Sequence, residues 1–350
     1  MSAQYTTDQM DRVKSQIVFL LHANRSGSTF LSSMLDKTRY VGMSIEGGFF
    51  LRFFIEGTTL QNDNDIDKLI NSFQSDPRFK DWESDTERAR NSLRQLPKPA
   101  NVEDVTRCIM SNYFSNQDVD YFIFKGSGGE HYVPLLRKLF SNSKFIHIVR
   151  DPRAVINSQL KTKSSIVNVP MANDPIIAAK RWSKMVNSFW NERGDDFLEV
   201  RYEDLMDDVG QAMKRICDFL NVPGLRAPEF DPEAGVGEYF NRIPEDQKNI
   251  HANVKTGVAL KQRASAWQEE LSETDIHLIQ TTSRKEMERL GYEAMNISPT
   301  ARAFPRVFFR ILRTRLAAII NGIRRYSSYL ANPYLLSEKL LLKFRSSKNR

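Results

Sequence analysis

Short apolar runs alternate with amphipathic stretches along most of the chain, and this pattern predicts the elements of the fold. Continuous runs of Val, Ile, Leu and Phe are typical of buried parallel strands. Such runs occur at 15–22, 40–46, 120–126 and 144–150, and within 196–205. Helical periodicity lies between and after them, at 30–37, 130–140, 152–161, 175–192 and 206–220. Strands that alternate with helices favour parallel βαβ units, so we expect an α/β fold of three α/β/α layers around a mainly parallel sheet.

The rest of the pattern sets the domain organisation. Residues 60–118 are polar and mostly helical in pattern, and 222–260 are rich in loops. Residues 272–293 predict one helix that begins after Ser272 and ends at Gly291. We therefore expect a polar segment at 1–14, one α/β domain at 15–295 and a basic amphipathic helical tail at 296–350.

The first predicted strand runs directly into a turn of small residues and a helix, in "IVFLLHANRSGSTFLSSML" (17–35). This order is that of a P-loop, which has Gly, four residues and then Gly-Lys-Ser/Thr. Gly27 and Thr29 occupy the second glycine and the final hydroxyl positions, whereas His22 replaces the first glycine and Ser28 the lysine. The sequence therefore predicts a P-loop-type fold whose loop has lost its lysine.

The loop still has the groups of an anion site. Backbone amides from Ser26 to Thr29 would face an anion at the helix N-terminus, and Ser28 and Thr29 add hydroxyl donors. Arg25 offers a guanidinium fork for phosphate or sulfonate oxygens. The plainer alternative is a helix cap at Ser26 or Ser28 beside a solvated arginine.

A second candidate site follows the fourth strand, in "FIHIVRDPRAVINSQL" (145–160). The strand ends at Arg150, and Pro152 suits the first turn of a helix. Ser158 lies eight residues after Arg150, about two helical turns along, so both could hold a separate phosphate. The alternative is an arginine paired with Asp151 and a serine on a helix face. With two arginines beside it, Asp151 is also a poor ligand for the Mg²⁺ that a nucleotide kinase needs.

Charge is unevenly distributed, and this changes the expected partners. The net charge is +7, but residues 301–350 hold twelve Lys or Arg and one acid, Glu338. The body of the chain is therefore slightly acidic, which disfavours a nucleic-acid-binding face. Two widely separated cysteines, Cys108 and Cys217, indicate a reducing compartment, and the five histidines have no metal-site spacing. The polar N-terminus adds the expectation of a cytoplasmic protein.

Five segments together resemble the PAPS-dependent sulfotransferase superfamily, in the branch that includes tyrosylprotein and many bacterial enzymes. They are "RSGSTFLSSML", "FKGSGGEHYVPLLRKLF", "IHIVRDPRAVINS", "EVRYEDLMDD" and the late "RASAWQEELSETD…MERLGYE". They occur in the family's order and span roughly residues 15–295. The resemblance implies that PAPS (3′-phosphoadenosine-5′-phosphosulfate) is the donor and that no metal is required.

The resemblance also implies a role for each matched residue. The loop residues Arg25, Ser26, Gly27, Ser28 and Thr29 would hold the 5′-phosphosulfate, with Arg25 in place of the kinase lysine. Arg150 and Ser158 would bind the 3′-phosphate, and Ser265 would contact the donor. Tyr202 would lie near the adenine, or alternatively order the end of the sheet. Near Ser265, the cations Lys255, Lys261 and Arg263 are alternatives for the 3′-phosphate.

The catalytic residues implied by the resemblance are Glu46, Lys125 and Arg25. Glu46 would deprotonate the acceptor, and Lys125 would stabilise the oxygen that leaves with the nucleotide. A surface glutamate before a turn is the alternative for Glu46, and His131 is the alternative base. The chain departs from the family at "KGSG", where many relatives have "KTP" or "KDP".

The tail lies outside the resemblance. "FPRVFFRILRTRLAAIINGIRRY" places apolar residues among arginines at helical spacing. Such a helix is typical of one that lies on an anionic membrane, here the inner surface, and the alternative is an extra layer packed on the core. Neither apolar run of the tail is long enough to span a bilayer.

The resemblance implies an enzyme that moves a sulfonate from PAPS to a hydroxyl or amine. The acceptor is not identified by any motif, and a lipid or glycan would suit a membrane-bound enzyme. A P-loop nucleotide kinase and a non-catalytic, membrane-associated nucleotide-binding protein are the competing hypotheses.

Overall fold

The computed structural model describes residues 16–297 except 39, 77, 83–85, 115–118, 128–131, 165–167, 223–238 and 249–261. It also describes nine positions between 308 and 327. The alternative base His131 and the alternative phosphate ligands Lys255 and Lys261 lie outside the described residues.

A five-stranded parallel sheet forms the centre of the fold. Its strands are β1 (Gln16–His22), β2 (Tyr40–Met43), β3 (Val119–Ser127), β4 (Lys144–Val149) and β5 (Phe197–Arg201). They pair in the order β2-β3-β1-β4-β5, each neighbour parallel to the next. The prediction of an α/β fold with a parallel sheet is confirmed. Every residue from Ile17 to Leu21 is at most 4% exposed, as expected for a central strand covered on both faces.

Helices follow the strands and cover the sheet. The first eight are α1 (Ser28–Asp36), α2 (Gly48–Glu56), α3 (Asp63–Gln74), α4 (Thr86–Gln95), α5 (Val102–Tyr113), α6 (Val133–Leu139), α7 (Pro152–Lys161) and α8 (Pro175–Asn191). The next eight are α9 (Tyr202–Asp207), α10 (Val209–Leu220), α11 (Tyr239–Arg242), α12 (Glu245–Lys248), α13 (Gln262–Ser265), α14 (Trp267–Glu270), α15 (Glu273–Thr282) and α16 (Arg284–Arg289). A 3₁₀ turn at Phe79–Trp82 lies between α3 and α4.

Two predicted boundaries are wrong for identifiable reasons. The second strand ends at Met43 rather than at Glu46. Beyond it, the Ser44 amide still donates to the Ile123 carbonyl of β3 (2.9 Å), but the Lys125 amide donates to the Ser44 side chain (3.2 Å), so regular backbone pairing stops there. The single helix predicted for 272–293 is two helices that divide at Ser283, a buried residue whose Oγ donates to the Ala179 carbonyl of α8 (3.5 Å). Its predicted cap, Ser272, is confirmed.

Aromatic packing fixes α2 against the sheet, close to the first loop. Phe50 of α2 meets Phe124 of β3 edge to face, with ring centroids 4.9 Å apart. Phe54 makes a similar contact with Phe140 (5.1 Å). Edge-to-face pairs of buried rings add to the apolar burial and hold one geometry. The segment that carries Glu46 is thereby attached to a rigid element.

The tail exposes apolar side chains. Each of the nine described positions between 308 and 327 has helical backbone. Six of them are large apolar residues that are 46–64% exposed: Phe308, Leu312, Leu316, Ile319, Ile320 and Ile323. In the part of the chain that is described, no helix has both the length and the apolar character needed to span a bilayer.

Candidate active site

The loop between β1 and α1 is built around two left-handed residues. Arg25 has φ of 74° and Gly27 has φ of 90°, and the Ser26 amide donates back to the Ala23 carbonyl (3.1 Å). Gly27 is the N-cap of α1, and no side chain caps the helix. The first-turn amides of a helix have no partner within it, so this end of α1 presents backbone donors. The geometry favours the anion site over the serine cap.

Gly27 also lets an aromatic ring approach the loop. A Cβ atom at this position would lie 2.2 Å from Cδ2 of Tyr202, the first residue of α9. Beside it, Ser26 is 1% exposed, and its Oγ has no hydrogen-bond partner among the described residues. A buried hydroxyl without a partner is costly, so a ligand oxygen at the loop is a natural partner for it.

A cluster of arginines adjoins the loop. Nε of Arg25 donates to Oγ of Ser158 on α7 (2.9 Å), and Nη1 of Arg150 donates to the Arg25 carbonyl (3.2 Å). The Arg150 guanidinium lies 4.2 Å from the ring centre of Tyr202, and it also donates to the carbonyl of Arg263 on α13. The structure thus brings together Arg25, Arg150, Ser158 and Tyr202, which come from three distant segments of the sequence.

The electrostatics of this cluster suit an anion. Burial lowers the pKa of Arg25 to about 10, and repulsion from Arg150 and Arg263 adds to the effect. Nε of Arg150 has no hydrogen-bond partner among the described residues, although the side chain is buried. A bound dianion would relieve the repulsion and supply the missing acceptor.

A second cluster lies at the ends of β2 and β3. The Lys125 ammonium is buried; it donates to Oγ1 of Thr29 in the first turn of α1 (3.0 Å) and to the hydroxyl of Tyr239 on α11 (3.2 Å). Oε1 of Glu46 lies 3.9 Å from Nζ of Lys125 and 3.8 Å from Nε2 of His22. The Glu46 side chain is 40% exposed, so it faces both the buried cation and solvent.

A small pocket opens at this cluster. Thr29, Glu46 and Lys125 line it, together with Arg78, Tyr239 and Ile243. It therefore contains a carboxylate, an ammonium and a loop hydroxyl at one place, with aromatic and aliphatic walls. This is the arrangement required for proton removal from an acceptor beside a charge-stabilising cation.

The backbone at Glu46 is held by Trp82. Nε1 of Trp82 donates to the Glu46 carbonyl (3.3 Å), and a Cβ at Gly47 would lie 2.7 Å from the indole ring. Trp82 is almost fully buried, so it fixes the turn from β2 into α2. Glu46 thus stands three residues beyond its strand on a supported turn.

The carboxylates near the arginine cluster are used within the protein. Asp151 caps α7 and forms a close ion pair with Arg153 (2.6 Å). Glu203 accepts from the Asp151 amide (3.0 Å) and from the Tyr292 hydroxyl (2.9 Å), and burial raises its pKa. Within the described ranges, no group of His, Cys, Asp and Glu is arranged to hold a metal ion.

Ser265 is the predicted site residue that the structure does not join to the others. It is exposed, and its hydroxyl donates to the Gln262 carbonyl of its own helix (3.4 Å). The same helix brings the Arg263 carbonyl to Arg150. The segment around Ser265 therefore adjoins the site, and its contact with the donor stays a prediction.

Sequence reasoning missed Tyr239 and Arg78 in the lining of the pocket, and His22 beside Glu46. Tyr239 and Arg78 come from stretches without a motif, and only the fold brings them near Lys125. His22 was visible as a departure from the P-loop pattern, at the place of the first glycine. That substitution was the one signal from which its position beside Glu46 could have been anticipated.

A parallel α/β sheet with an anion loop after its central strand defines the P-loop-like class of fold. The model of the Sulfotransferase family matches residues 17–226, more than half of the chain. The chain belongs to the sulfotransferase family.

Individual relatives match shorter parts. Protein-tyrosine sulfotransferase 1 of Danio rerio is 29% identical over 116 residues, which cover 32% of this chain and 30% of the relative. Carbohydrate sulfotransferase 2 of Homo sapiens is 25% identical over 206 residues, covering 47% of this chain and 37% of the relative. The matches thus span about a third of these relatives' lengths.

Among solved structures, the "Sulfotransferase Domain from the Curacin Biosynthetic Pathway" shares the fold. It has a TM-score of 0.52 and 20% sequence identity, over 80% of this chain and 99% of that chain. At this identity the likeness concerns the fold alone.

Proposed function

We propose that this protein transfers a sulfonate group from PAPS to a hydroxyl or amine of an acceptor. The observation that carries the proposal is the meeting of Glu46, Lys125 and Thr29 at the pocket, next to the cluster of Arg25, Arg150 and Ser158. The groups at the pocket can remove a proton and stabilise a leaving oxygen, and the arginine cluster can hold a phosphate.

The residues present fit the donor. The first-turn amides of α1, with Ser26 and Ser28, would hold the 5′-phosphosulfate, and the buried Ser26 hydroxyl would gain the partner it lacks. Arg150 and Ser158 would hold the 3′-phosphate, where the unpartnered Nε of Arg150 is available. When bound, PAPS supplies the sulfonate and a good leaving group, so the reaction requires no metal.

The chemistry left to this chain is positioning, proton transfer and charge stabilisation. Glu46 is exposed enough to reach an acceptor hydroxyl and would take its proton. Lys125, held between Thr29 and Tyr239, would face the oxygen on which negative charge develops. Arg25 would share that charge from the loop. These groups are fixed before the reaction, so little reorganisation is needed.

A nucleotide kinase fits less well. The loop lacks the lysine that follows the second glycine in P-loop kinases. Asp151, which follows β4, is engaged with Arg153 and with the start of α7 instead of facing a metal site.

Calorimetry separates these two functions. We expect adenosine 3′,5′-bisphosphate, the donor without its sulfonate, to bind in the presence of EDTA, and ATP with Mg²⁺ to bind weakly or not at all. Ser26→Ala is a matched variant that should weaken binding of the bisphosphate without adding bulk. Strong binding of Mg-ATP together with no binding of the bisphosphate would contradict the proposal.

We further propose that the tail binds an anionic membrane surface and presents the active site to a membrane-borne acceptor, a lipid or a glycan. Its six exposed apolar residues recur at 308, 312, 316, 319, 320 and 323, which is one face of a helix. Arginines flank them in the sequence, and residues 301–350 carry twelve bases against one acid. Each base near an anionic bilayer contributes roughly 1 kcal/mol, and the apolar residues add insertion.

The location proposed with it is the cytoplasm, at the inner surface of the membrane. Cys108 and Cys217 are both free and buried, which suits a reducing compartment.

Vesicle co-sedimentation tests the tail. Full-length protein should sediment with vesicles that contain phosphatidylserine, and much less with phosphatidylcholine alone. A variant with Phe308→Ser, Leu316→Ser and Ile323→Ser keeps all charges and should lose most of the binding. Equal sedimentation of the two proteins, or none of either, would refute membrane binding.

A further inference from the structure

His22 is a buried histidine whose outward nitrogen has no hydrogen-bond partner. The side chain is 2% exposed and ends β1, where Ser127 of β3 and Ile148 of β4 lie beside it in the sheet. Nδ1 lies 3.2 Å from the Ala23 carbonyl. Nε2 has no hydrogen-bond partner among the described residues, and Oε1 of Glu46 lies 3.8 Å from it.

These contacts favour one tautomer. A carbonyl oxygen only accepts, so the nitrogen that faces Ala23 carries the hydrogen and Nε2 has a lone pair. The charged and titratable groups that act on the ring are Glu46, Lys125 and His147. Burial lowers the pKa of His22 to about 4; among the smaller effects, Glu46 raises this pKa and Lys125 lowers it. The ring is therefore neutral near pH 7.

A neutral ring in this tautomer is a poor partner for a carboxylate, because both groups present lone pairs. The separation of 3.8 Å is longer than a hydrogen bond, as expected for two acceptors. The pair becomes complementary once Glu46 carries a proton, since a carboxylic acid is a donor. The contact is therefore suited to the state of Glu46 after it has accepted a proton.

We propose that His22 is a positioning residue for the base, whose Nε2 accepts a hydrogen bond from Glu46 as that side chain takes the acceptor's proton. The inference rests on the proposed function, in which Glu46 is the base. The acceptor O–H or N–H bond breaks, its proton moves to Oε1 of Glu46, and its electron pair forms the new bond to sulfur. The bond from sulfur to the bridging oxygen breaks, and that oxygen leaves with its electrons near Lys125.

This role accounts for a histidine where a P-loop has glycine. The position lies at the end of the central strand, inside the protein and behind the pocket. Lys125 approaches the same carboxylate from the side of β3, at 3.9 Å. Lys125 stabilises the carboxylate before the proton transfer, and Nε2 of His22 would stabilise the carboxylic acid after it, so it is the histidine contact that favours the transfer.

The first test is the tautomer itself. In ¹⁵N-histidine NMR of the full-length protein, we expect the resonance that disappears in His22→Gln to show a protonated Nδ1 and a bare Nε2 between pH 5.5 and 8. A protonated Nε2 would overturn the proposal. This readout is independent of turnover and of PAPS.

The second test is kinetic and uses two variants of similar size. His22→Leu removes the acceptor, and we expect kcat to fall about tenfold, the effect of one hydrogen bond formed in the transition state. In His22→Leu the acid limb of the pH profile of kcat should move to lower pH, because protonated Glu46 has lost its hydrogen-bond acceptor. His22→Gln retains a side-chain oxygen and should recover most of the rate. Binding of adenosine 3′,5′-bisphosphate should stay unchanged in both, and His277→Gln, on α15, should leave kcat unchanged.

Two outcomes would overturn the inference: wild-type kcat in His22→Leu, or equal losses in the leucine and glutamine variants. If His22→Leu does not fold, the tautomer and the activity of His22→Gln still decide the question. Full activity of Glu46→Gln would instead refute the base assignment of the proposed function. If Glu46→Gln is inactive but NMR shows a protonated Nε2 on His22, the base assignment stands and only the role of His22 is refuted.

Discussion

Replacing Gly27 by alanine tests how the loop and the arginine cluster depend on each other. The substitution places a side chain at φ of 90°, which costs about 1–2 kcal/mol in the left-handed region. The new Cβ would lie 2.2 Å from Cδ2 of Tyr202, so the ring must move. Tyr202 is buried and has the Arg150 guanidinium over its face at 4.2 Å. Overpacking of this kind adds about 1–3 kcal/mol.

Gly57 provides the matched control. It has φ of 63°, and a Cβ there would meet nothing within 4 Å. Gly57→Ala should therefore lose only the backbone cost, about 1–2 kcal/mol, and bind adenosine 3′,5′-bisphosphate normally.

The assays are urea unfolding and calorimetry with adenosine 3′,5′-bisphosphate. Gly27→Ala should lose about 1–3 kcal/mol more stability than Gly57→Ala. It should also bind the ligand at least about tenfold more weakly, because displacement of Tyr202 moves Arg150 and removes about one charge-assisted contact. If the two variants match in both stability and affinity, the close packing of loop, ring and arginine is not what supports binding.

Three further predictions concern single groups. Arg150→Ala should weaken calorimetric binding of adenosine 3′,5′-bisphosphate by about 1.5–3 kcal/mol, and unchanged affinity would remove Arg150 from the donor site. Lys125→Met should lower kcat about 10²–10³-fold while that ligand still binds, and a normal kcat would exclude Lys125 from charge stabilisation. The third is a pH effect: the pKa of His22 is lowered to about 4 in the folded protein, so the unfolded chain binds the extra proton first as pH falls from 6.5. The stabilisation from this group is thus present above pH 6.5 and is lost as the pH falls to 4. Between these two pH values the free energy of unfolding of wild type should fall by roughly 3 kcal/mol more than that of His22→Gln, measured by urea unfolding. Parallel losses in the two proteins would contradict the buried, neutral histidine.

The parts of the fold that the sequence predicts well are those encoded locally. The strands were recognisable because each is a continuous apolar run, and α7 matched its predicted bounds of 152–161 because Pro152 and the Asp151 cap mark its start. Boundaries set by tertiary contacts were missed. The end of β2 depends on a hydrogen bond to Ser44 from the distant Lys125, and the break at Ser283 depends on packing against α8.

The candidate site divides in the same way. Arg25, Arg150 and Ser158 lie in compact motifs with fixed spacing, so they could be named before their contact was known. Tyr239 and Trp82 hold Lys125 and Glu46 from segments with no motif of their own, and their roles exist only in the folded chain. Residues without a motif line part of the pocket beside Glu46, so the sequence did not identify an acceptor.

Transfer of labelled sulfonate tests the central claim most directly. The full-length protein is incubated with sulfur-labelled PAPS and a cell extract, in EDTA, and the products are separated into lipid, glycan and protein fractions. We predict label in one acceptor fraction with wild type, and a reduction of about 10²–10⁴-fold with Glu46→Gln, whose binding of adenosine 3′,5′-bisphosphate is retained. The absence of label from every fraction, with the γ-phosphate of Mg-ATP transferred instead, would contradict the assignment of a sulfotransferase activity.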